Sequence, residues 1–144
     1  GHVTVVAPRT LLPPHVDDPA GDRLADAVTD RLDDVLDDPL DVLYLLRMQH
    51  ERTSEALVPN LREYTTRFGL TPERARRLDP RTLVMHPGPM NRGVEIAVDP
   101  AELPGAVITR QVTNGIAVRM AVLFDLLGSG AATTSIADPE GAVT

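Results

Sequence analysis

DVLYLLR, residues 41–47, decides the fold. Val42 to Leu46 is an unbroken apolar run, without the polar alternation of a half-solvated strand. Short continuous runs of this kind suit a central parallel strand covered on both faces. TLVMHP (82–87) has the same character, and VTVVAP (3–8) is β-branched and stopped by Pro8. Three strands of this type, separated by helical patterns, predict an α/β domain built in three layers around a short parallel sheet.

The helical segments flank these runs. TPERARRL (71–78) offers Thr71 as N-cap and Pro72 at the first helical position, and its charge predicts a surface helix. Residues 54–69 carry a mixed helical pattern that stops at Gly69. RLDDVLDD (31–38) spaces Leu32, Val35 and Leu36 for a short helix, whereas RLADAVTD before it suits helix or strand equally. From Val107 to Leu127 runs a long helix whose stripe of Ile108, Val112, Ile116, Met120, Leu123 and Leu127 is widened by Val118, Val122 and Leu126. That stripe is broader than one packing face requires, and it predicts a partner beyond the three strands. Residues 1–127 read as one partial domain, and 128–144, small, polar and patternless, as a disordered tail.

Composition narrows the chemistry. The 144 residues carry a formal net charge of −7, so there is no basic excess to neutralise phosphates, which argues against a nucleic-acid surface. With no cysteine, disulfides, zinc–thiolate sites and thiol nucleophiles are excluded. The apolar runs fall short of the roughly 20 residues of a membrane span. No secretory leader is recognisable, so a soluble cytoplasmic protein is expected. Nine aspartates between residues 17 and 38 lack the ligand spacing and glycine of an EF-hand and read as a solvated face.

Ligands in open α/β sheets bind beyond the carboxyl ends of the strands. Two strands end in polar clusters there: Arg47, Gln49, His50, Glu51 and Arg52 after the first, and His86, Pro87, Gly88, Pro89, Asn91 and Arg92 after the second. Parallel strands would place both clusters at one sheet edge. The Arg47 guanidinium suits a carboxylate or phosphate, or else a structural ion pair with Glu51 or Glu55. Gln49 offers both donor and acceptor. His86 suits a base, a ligand or a satisfied structural residue, and no second ligand sits at metal spacing. HPGP fixes φ at two positions, removes two backbone donors, and leaves Gly88 its N–H and carbonyl with no side chain in the way. It reads as a rigid backbone cradle for a small ligand, or as a plain proline-rich turn.

LYLLRMQHER (43–52), REYTTRFGL (62–70), VMHPGPMNRGVEI (84–96) and QVTNGIAVRMAVL (111–123) together resemble, in the same order, the second half of the bacterial aspartate carbamoyltransferases. The resemblance begins at VTVVAPRTLLP and reaches about Leu127. It implies transfer of a carbamoyl group from carbamoyl phosphate to L-aspartate, giving N-carbamoyl-L-aspartate and phosphate in pyrimidine synthesis. It implies two α/β domains, a homotrimer and no cofactor. Carried over, Arg47 and Gln49 bind the aspartate; Gly88 and Pro89, joined by a cis bond, meet the carbamoyl group; His86 and Pro87 support the loop. No catalytic residue and no metal ligand are assigned.

The resemblance also implies what this sequence lacks: the Ser-Thr-Arg-Thr phosphate motif with its carbamoyl-phosphate domain, and the first strand–helix unit of the aspartate domain with a second aspartate-binding arginine. The chain is thus expected to be N-terminally truncated and inactive alone, with the long helix packing on the carbamoyl-phosphate domain. A non-catalytic remnant for ligand binding or assembly is the alternative. An ornithine-specific enzyme is disfavoured because its corresponding loop carries a cysteine.

Overall fold

The structure is a computed structural model and describes residues 1–14, 16, 24–48 and 60–128. It divides into two units, Gly1–Gln111 and the part from Val112 onward.

In the first unit, β1 (Thr4–Val6) pairs in parallel with β2 (Ala27–Thr29), with Val5 opposite Val28. The ambiguous RLADAVTD segment is therefore a strand at its C-terminal end. A second parallel ladder joins β3 (Val42–Tyr44) to β4 (Leu83–Met85), with Leu43 opposite Val84 and Tyr44 opposite Met85. The expected parallel pairing is present, but among the described residues it takes the form of two ladders of two strands, so four strands rather than three. Between β2 and β3, Leu32–Asp34 forms a 3-10 turn in place of a longer helix.

The continuous apolar run of β3 is not covered on both faces. Leu43 and Leu45 are buried, while Val42, Tyr44 and Leu46 are exposed at 45%, 48% and 63%. A strand sends successive side chains to opposite sides, and only the Leu43–Leu45 side meets the core here. That core gathers Leu32, Leu36, Leu70, Val84, Ile96, Leu103 and Ile108 around the inner face of the β3–β4 ladder. Each fully buried side chain of this size contributes about 1.5–3 kcal/mol.

Helix α1 (Leu61–Phe68) starts where the Asn60 side chain accepts from the Glu63 N–H, and ends at Gly69, as the sequence predicts. The part of that pattern at residues 54–59 lies outside the described residues. Helix α2 (Pro72–Ala75) has Thr71 as N-cap and Pro72 in its first turn. It is not a purely superficial element, because Arg74 is buried. Its guanidinium donates to Asp33 and to the carbonyls of Gly69 at 2.7 Å and Thr66 at 2.6 Å. One cation thereby serves as acceptor-cap for α1 and as anchor for the turn after β2. Arg77 adds contacts to Asp33 and Asp37 at 2.7 and 2.8 Å.

Helix α3 (Ile108–Gly128) matches the expected span within a residue. Ile108 at its start belongs to the core of the first unit. In the second unit, Val112, Ile116, Val118, Met120, Val122, Leu123, Phe124, Leu126 and Leu127 are all exposed. Of the tail expected over 128–144, Gly128 is instead the last residue of α3, and the rest lies outside the described residues.

Candidate functional site

The candidate site is built where β3 and β4 end side by side. Parallel registry carries the two chains past Tyr44 and Met85 together, and the Leu45 N–H donates to the Met85 carbonyl at 2.9 Å. Arg47 and the HPGP loop consequently follow the same end of one ladder. Asn91 closes the gap: its side-chain amide donates to the Met48 carbonyl at 2.9 Å. Of the two polar clusters expected to share an edge, Arg47 and the loop at 86–92 are thus brought to one end of the ladder through Asn91 and Met48. Arg47 is half-buried there. Gln49, with His50, Glu51 and Arg52, lies outside the described residues.

The loop after β4 is held by its own polar groups. The Gly88–Pro89 bond is cis, as the resemblance implies, and Gly88 sits at φ 64°, a left-handed conformation that suits glycine. The Gly88 N–H donates to His86 Nδ1 at 2.9 Å. Pro87 and Pro89 have no N–H, so what residues 87–89 can offer a ligand from the backbone is carbonyl oxygen. The sequence reading of Gly88 as both donor and acceptor is therefore narrowed to acceptor.

His86 is fully buried, and of its readings the structural one describes its contacts. Its backbone N–H donates to Gln111 Oε1 at 3.0 Å, and Gln111 Nε2 donates to the Tyr44 hydroxyl at 3.1 Å. Its ring places Nε2 at 3.3 Å from Glu95 Oε1. The same oxygen accepts from the Asn91 N–H at 2.7 Å. Glu95 is 1% exposed, and its Oε2 has no hydrogen-bond partner among the described residues. A buried acceptor left in that condition costs about 1–3 kcal/mol.

The segment carrying Glu95 is fixed independently of its side chain. The Leu70 N–H donates to the Glu95 carbonyl at 3.0 Å, and the Ala97 N–H to the Leu70 carbonyl at 2.9 Å. Tyr64 on α1 stacks on Phe68 with ring centroids 5.1 Å apart, and burial, then the Glu95 charge, push its phenol up. Glu95, Gln111 and Tyr44 were not singled out from sequence. The one available signal was a carboxylate between two apolar residues in Val94-Glu95-Ile96, a place where a charge is costly unless it is used.

Among the described residues no group of His, Cys, Asp and Glu is arranged to hold a metal. A cavity of about 680 Å³ lies away from the HPGP turn, lined by Leu61, Arg62, Thr66, Arg74, Arg77 and Val94 among others. Arg74 and Arg77 are already committed there to Asp33 and Asp37. No helix among the described residues is long and apolar enough to cross a membrane.

Comparison with known proteins gives the family. The family described as aspartate/ornithine carbamoyltransferase, Asp/Orn binding domain, matches residues 3–126. The chain is 48% identical over 126 residues to the aspartate carbamoyltransferase catalytic subunit of Moorella thermoacetica, covering 88% of this chain and 39% of that one. It is 44% identical over 146 residues to the catalytic subunit from Beutenbergia cavernae, covering 99% of this chain and 42% of that one. Among solved structures, aspartate transcarbamoylase from Trypanosoma cruzi in complex with carbamoyl phosphate and aspartate matches with TM-score 0.66 at 29% identity, over 84% of this chain and 40% of that one. The same protein in complex with N-(phosphonacetyl)-L-aspartic acid also matches with TM-score 0.66, at 30% identity. The chain spans about two fifths of the length of these relatives.

Proposed function

The chain belongs to the Asp/Orn-binding-domain family of the aspartate/ornithine carbamoyltransferases, and from that premise we propose that it is the aspartate-binding portion of an aspartate carbamoyltransferase. The reaction is attack of the L-aspartate amine on the carbonyl of carbamoyl phosphate, forming the C–N bond of N-carbamoyl-L-aspartate and releasing phosphate. The pathway served is de novo pyrimidine synthesis, the setting the cytoplasm, and the assembly a homotrimer. Residues 1–127 act as part of the aspartate-binding domain, including its interdomain helix, followed by the tail at 128–144.

The observation that carries this reading is the joining of the Arg47 strand end to the HPGP loop through Asn91 and Met48. Arg47, with Gln49, grips an aspartate carboxylate by a charge-assisted fork. Gly88 and Pro89 present carbonyl oxygens that suit the amide hydrogens of a carbamoyl group, which carries donors where phosphate carries none. His86 and Pro87 keep that loop in place. These residues bind and orient two substrates, a role that lowers the barrier by removing translational and rotational freedom before reaction. No residue here is assigned as general base.

The test is formation of N-carbamoyl-L-aspartate from the two substrates by this chain alone, and with a carbamoyl-phosphate-binding domain supplied. Activity on reconstitution, lost on Arg47→Ala through weaker aspartate binding by on the order of 3 kcal/mol, is the expected result. Inactivity with a correctly folded added domain would favour a remnant used for binding or assembly. Unchanged aspartate affinity in the Arg47→Ala enzyme would remove Arg47 from the site.

A further inference from the structure

We propose that Glu95 is a positioning residue for the HPGP loop: it selects the His86 ring tautomer that captures the Gly88 N–H. The inference rests on the reading of Gly88 and Pro89 as ligand-facing groups, and it adds a residue that this reading does not contain.

The geometry leaves one arrangement of protons. Gly88 N lies 2.9 Å from His86 Nδ1, and a backbone amide can only donate, so Nδ1 carries the lone pair. Nε2 then carries the hydrogen and points it at Glu95 Oε1, 3.3 Å away. The opposite tautomer would set two donors against each other at Gly88 and two acceptors against each other at Glu95. His86 and Glu95 are sealed from bulk water, at 0% and 1% exposure, so solvent does not relieve the mismatch between them. The tautomer is set from the Glu95 end, because Oε1 already accepts the Asn91 N–H and so meets the ring as an acceptor, whereas imidazole can present either face.

Glu95 Oε1 also takes the Asn91 N–H at 2.7 Å, so one oxygen holds both sides of the loop. Gly88 stands between these two anchors. The two anchors thus flank the left-handed turn at Gly88 on both sides. The carboxylate is an expensive means to that end, since its second oxygen is buried without a hydrogen-bond partner among the described residues. A neutral or apolar residue would serve simple packing better, and such unrelieved polar groups concentrate where geometry must be held for function.

The test begins with ring ¹⁵N chemical shifts of His86 in the wild-type chain, which should show a protonated Nε2 and a bare Nδ1. A protonated Nδ1 overturns the proposal outright. Gly88 amide hydrogen exchange is then compared in Glu95→Ala and Glu95→Gln. The first should speed exchange about tenfold or more, and the second, whose side-chain carbonyl still accepts from Nε2 and from Asn91, should restore protection. His86→Asn, which keeps an acceptor near the Nδ1 position, should protect Gly88 better than His86→Gln. Equal Gly88 exchange in wild type and Glu95→Ala overturns the proposal.

In the reconstituted enzyme, Glu95→Ala should lower kcat about tenfold or more with rescue by Glu95→Gln. Unchanged kcat alongside lost Gly88 protection overturns the positioning role. Failure of the functional reading looks different: the wild-type enzyme would make no N-carbamoyl-L-aspartate while the His86 tautomer remained as described.

Discussion

The Asn91 side-chain amide donates to the Met48 carbonyl at 2.9 Å, across 43 residues of sequence. It ties the end of β3, where Arg47 sits, to the loop after β4 beyond the last ladder bond. Asn91→Ala should cost about 1 kcal/mol of stability, the usual worth of one such bond, measured by urea unfolding. Aspartate affinity in the reconstituted enzyme should fall further than that stability loss explains. If binding is unaffected while stability drops, the tie is structural and sets no distance relevant to the ligand.

Arg74 carries more weight than its position on a four-residue helix suggests. Removing it takes the donor from the carbonyls of Thr66 and Gly69 and leaves Asp33 with Arg77 alone. Arg74→Ala should destabilise the first unit by about 3 kcal/mol, at the lower end for a broken ion pair because the Asp33 side chain is 32% exposed. Arg74→Lys should recover only part, since an ammonium cannot span three acceptors in a plane. Equal stability of the lysine and arginine proteins in urea would show that the fork geometry is irrelevant.

The sequence disclosed its elements wherever local chemistry decides them. Thr71-Pro72 and Gly69 mark helix ends by hydrogen bonds made within a few residues, and each appears in place, whereas the Asn60 cap that starts α1 was not read from the sequence. β3 and β4 were legible as apolar runs, and their parallel pairing followed from type. What escaped was set by distant partners. The RLADAVTD strand is specified by pairing with β1 across more than twenty residues, not by its own pattern. Arg74 reads as a surface charge until Asp33 is known to lie beside it. The site divides similarly: Arg47, His86, Gly88 and Asn91 were visible as polar groups at strand ends, whereas Glu95 and Gln111 act only through contacts that the fold creates.

Gly105 tests how tightly the β4 edge is packed. A Cβ built there would lie 1.8 Å from the Thr82 carbonyl oxygen and 2.9 Å from its carbon, both backbone atoms with no rotamer to escape into. The neighbouring ladder bonds, Val84 N–H to the Gly105 carbonyl and Val107 N–H to the Val84 carbonyl, would have to move with it. Gly105→Ala should therefore destabilise by about 3 kcal/mol or more, beyond the range of ordinary surface changes. Gly115→Ala, where nothing lies within 4 Å, is the control and should be neutral or slightly stabilising. Similar unfolding midpoints for the two variants would refute the close approach.

Acid should weaken the first unit through its paired aspartates. The Arg74 hydrogen bond, against opposing burial and with further help from the charges of Arg74 and Arg77, holds the Asp33 carboxyl below its ordinary 3.8. Asp79 is drawn from 3.8 to about 2 by the side-chain and backbone hydrogen bonds of Arg81. A carboxyl whose folded value lies below its unfolded one binds fewer protons when folded. Its contribution is complete above about pH 4 and disappears as pH falls through the folded value. Urea midpoints should thus be flat from neutral pH to about 4 and decline between about 4 and 2. Asp33→Asn should lower stability at neutral pH and flatten that decline, because the titrating partner of Arg74 is gone. Asp79→Asn should flatten it less, the pair with Arg81 lying at the solvent-exposed surface. A D33N protein with the wild-type slope below pH 4 would mean that the Arg74 pair does not govern acid unfolding.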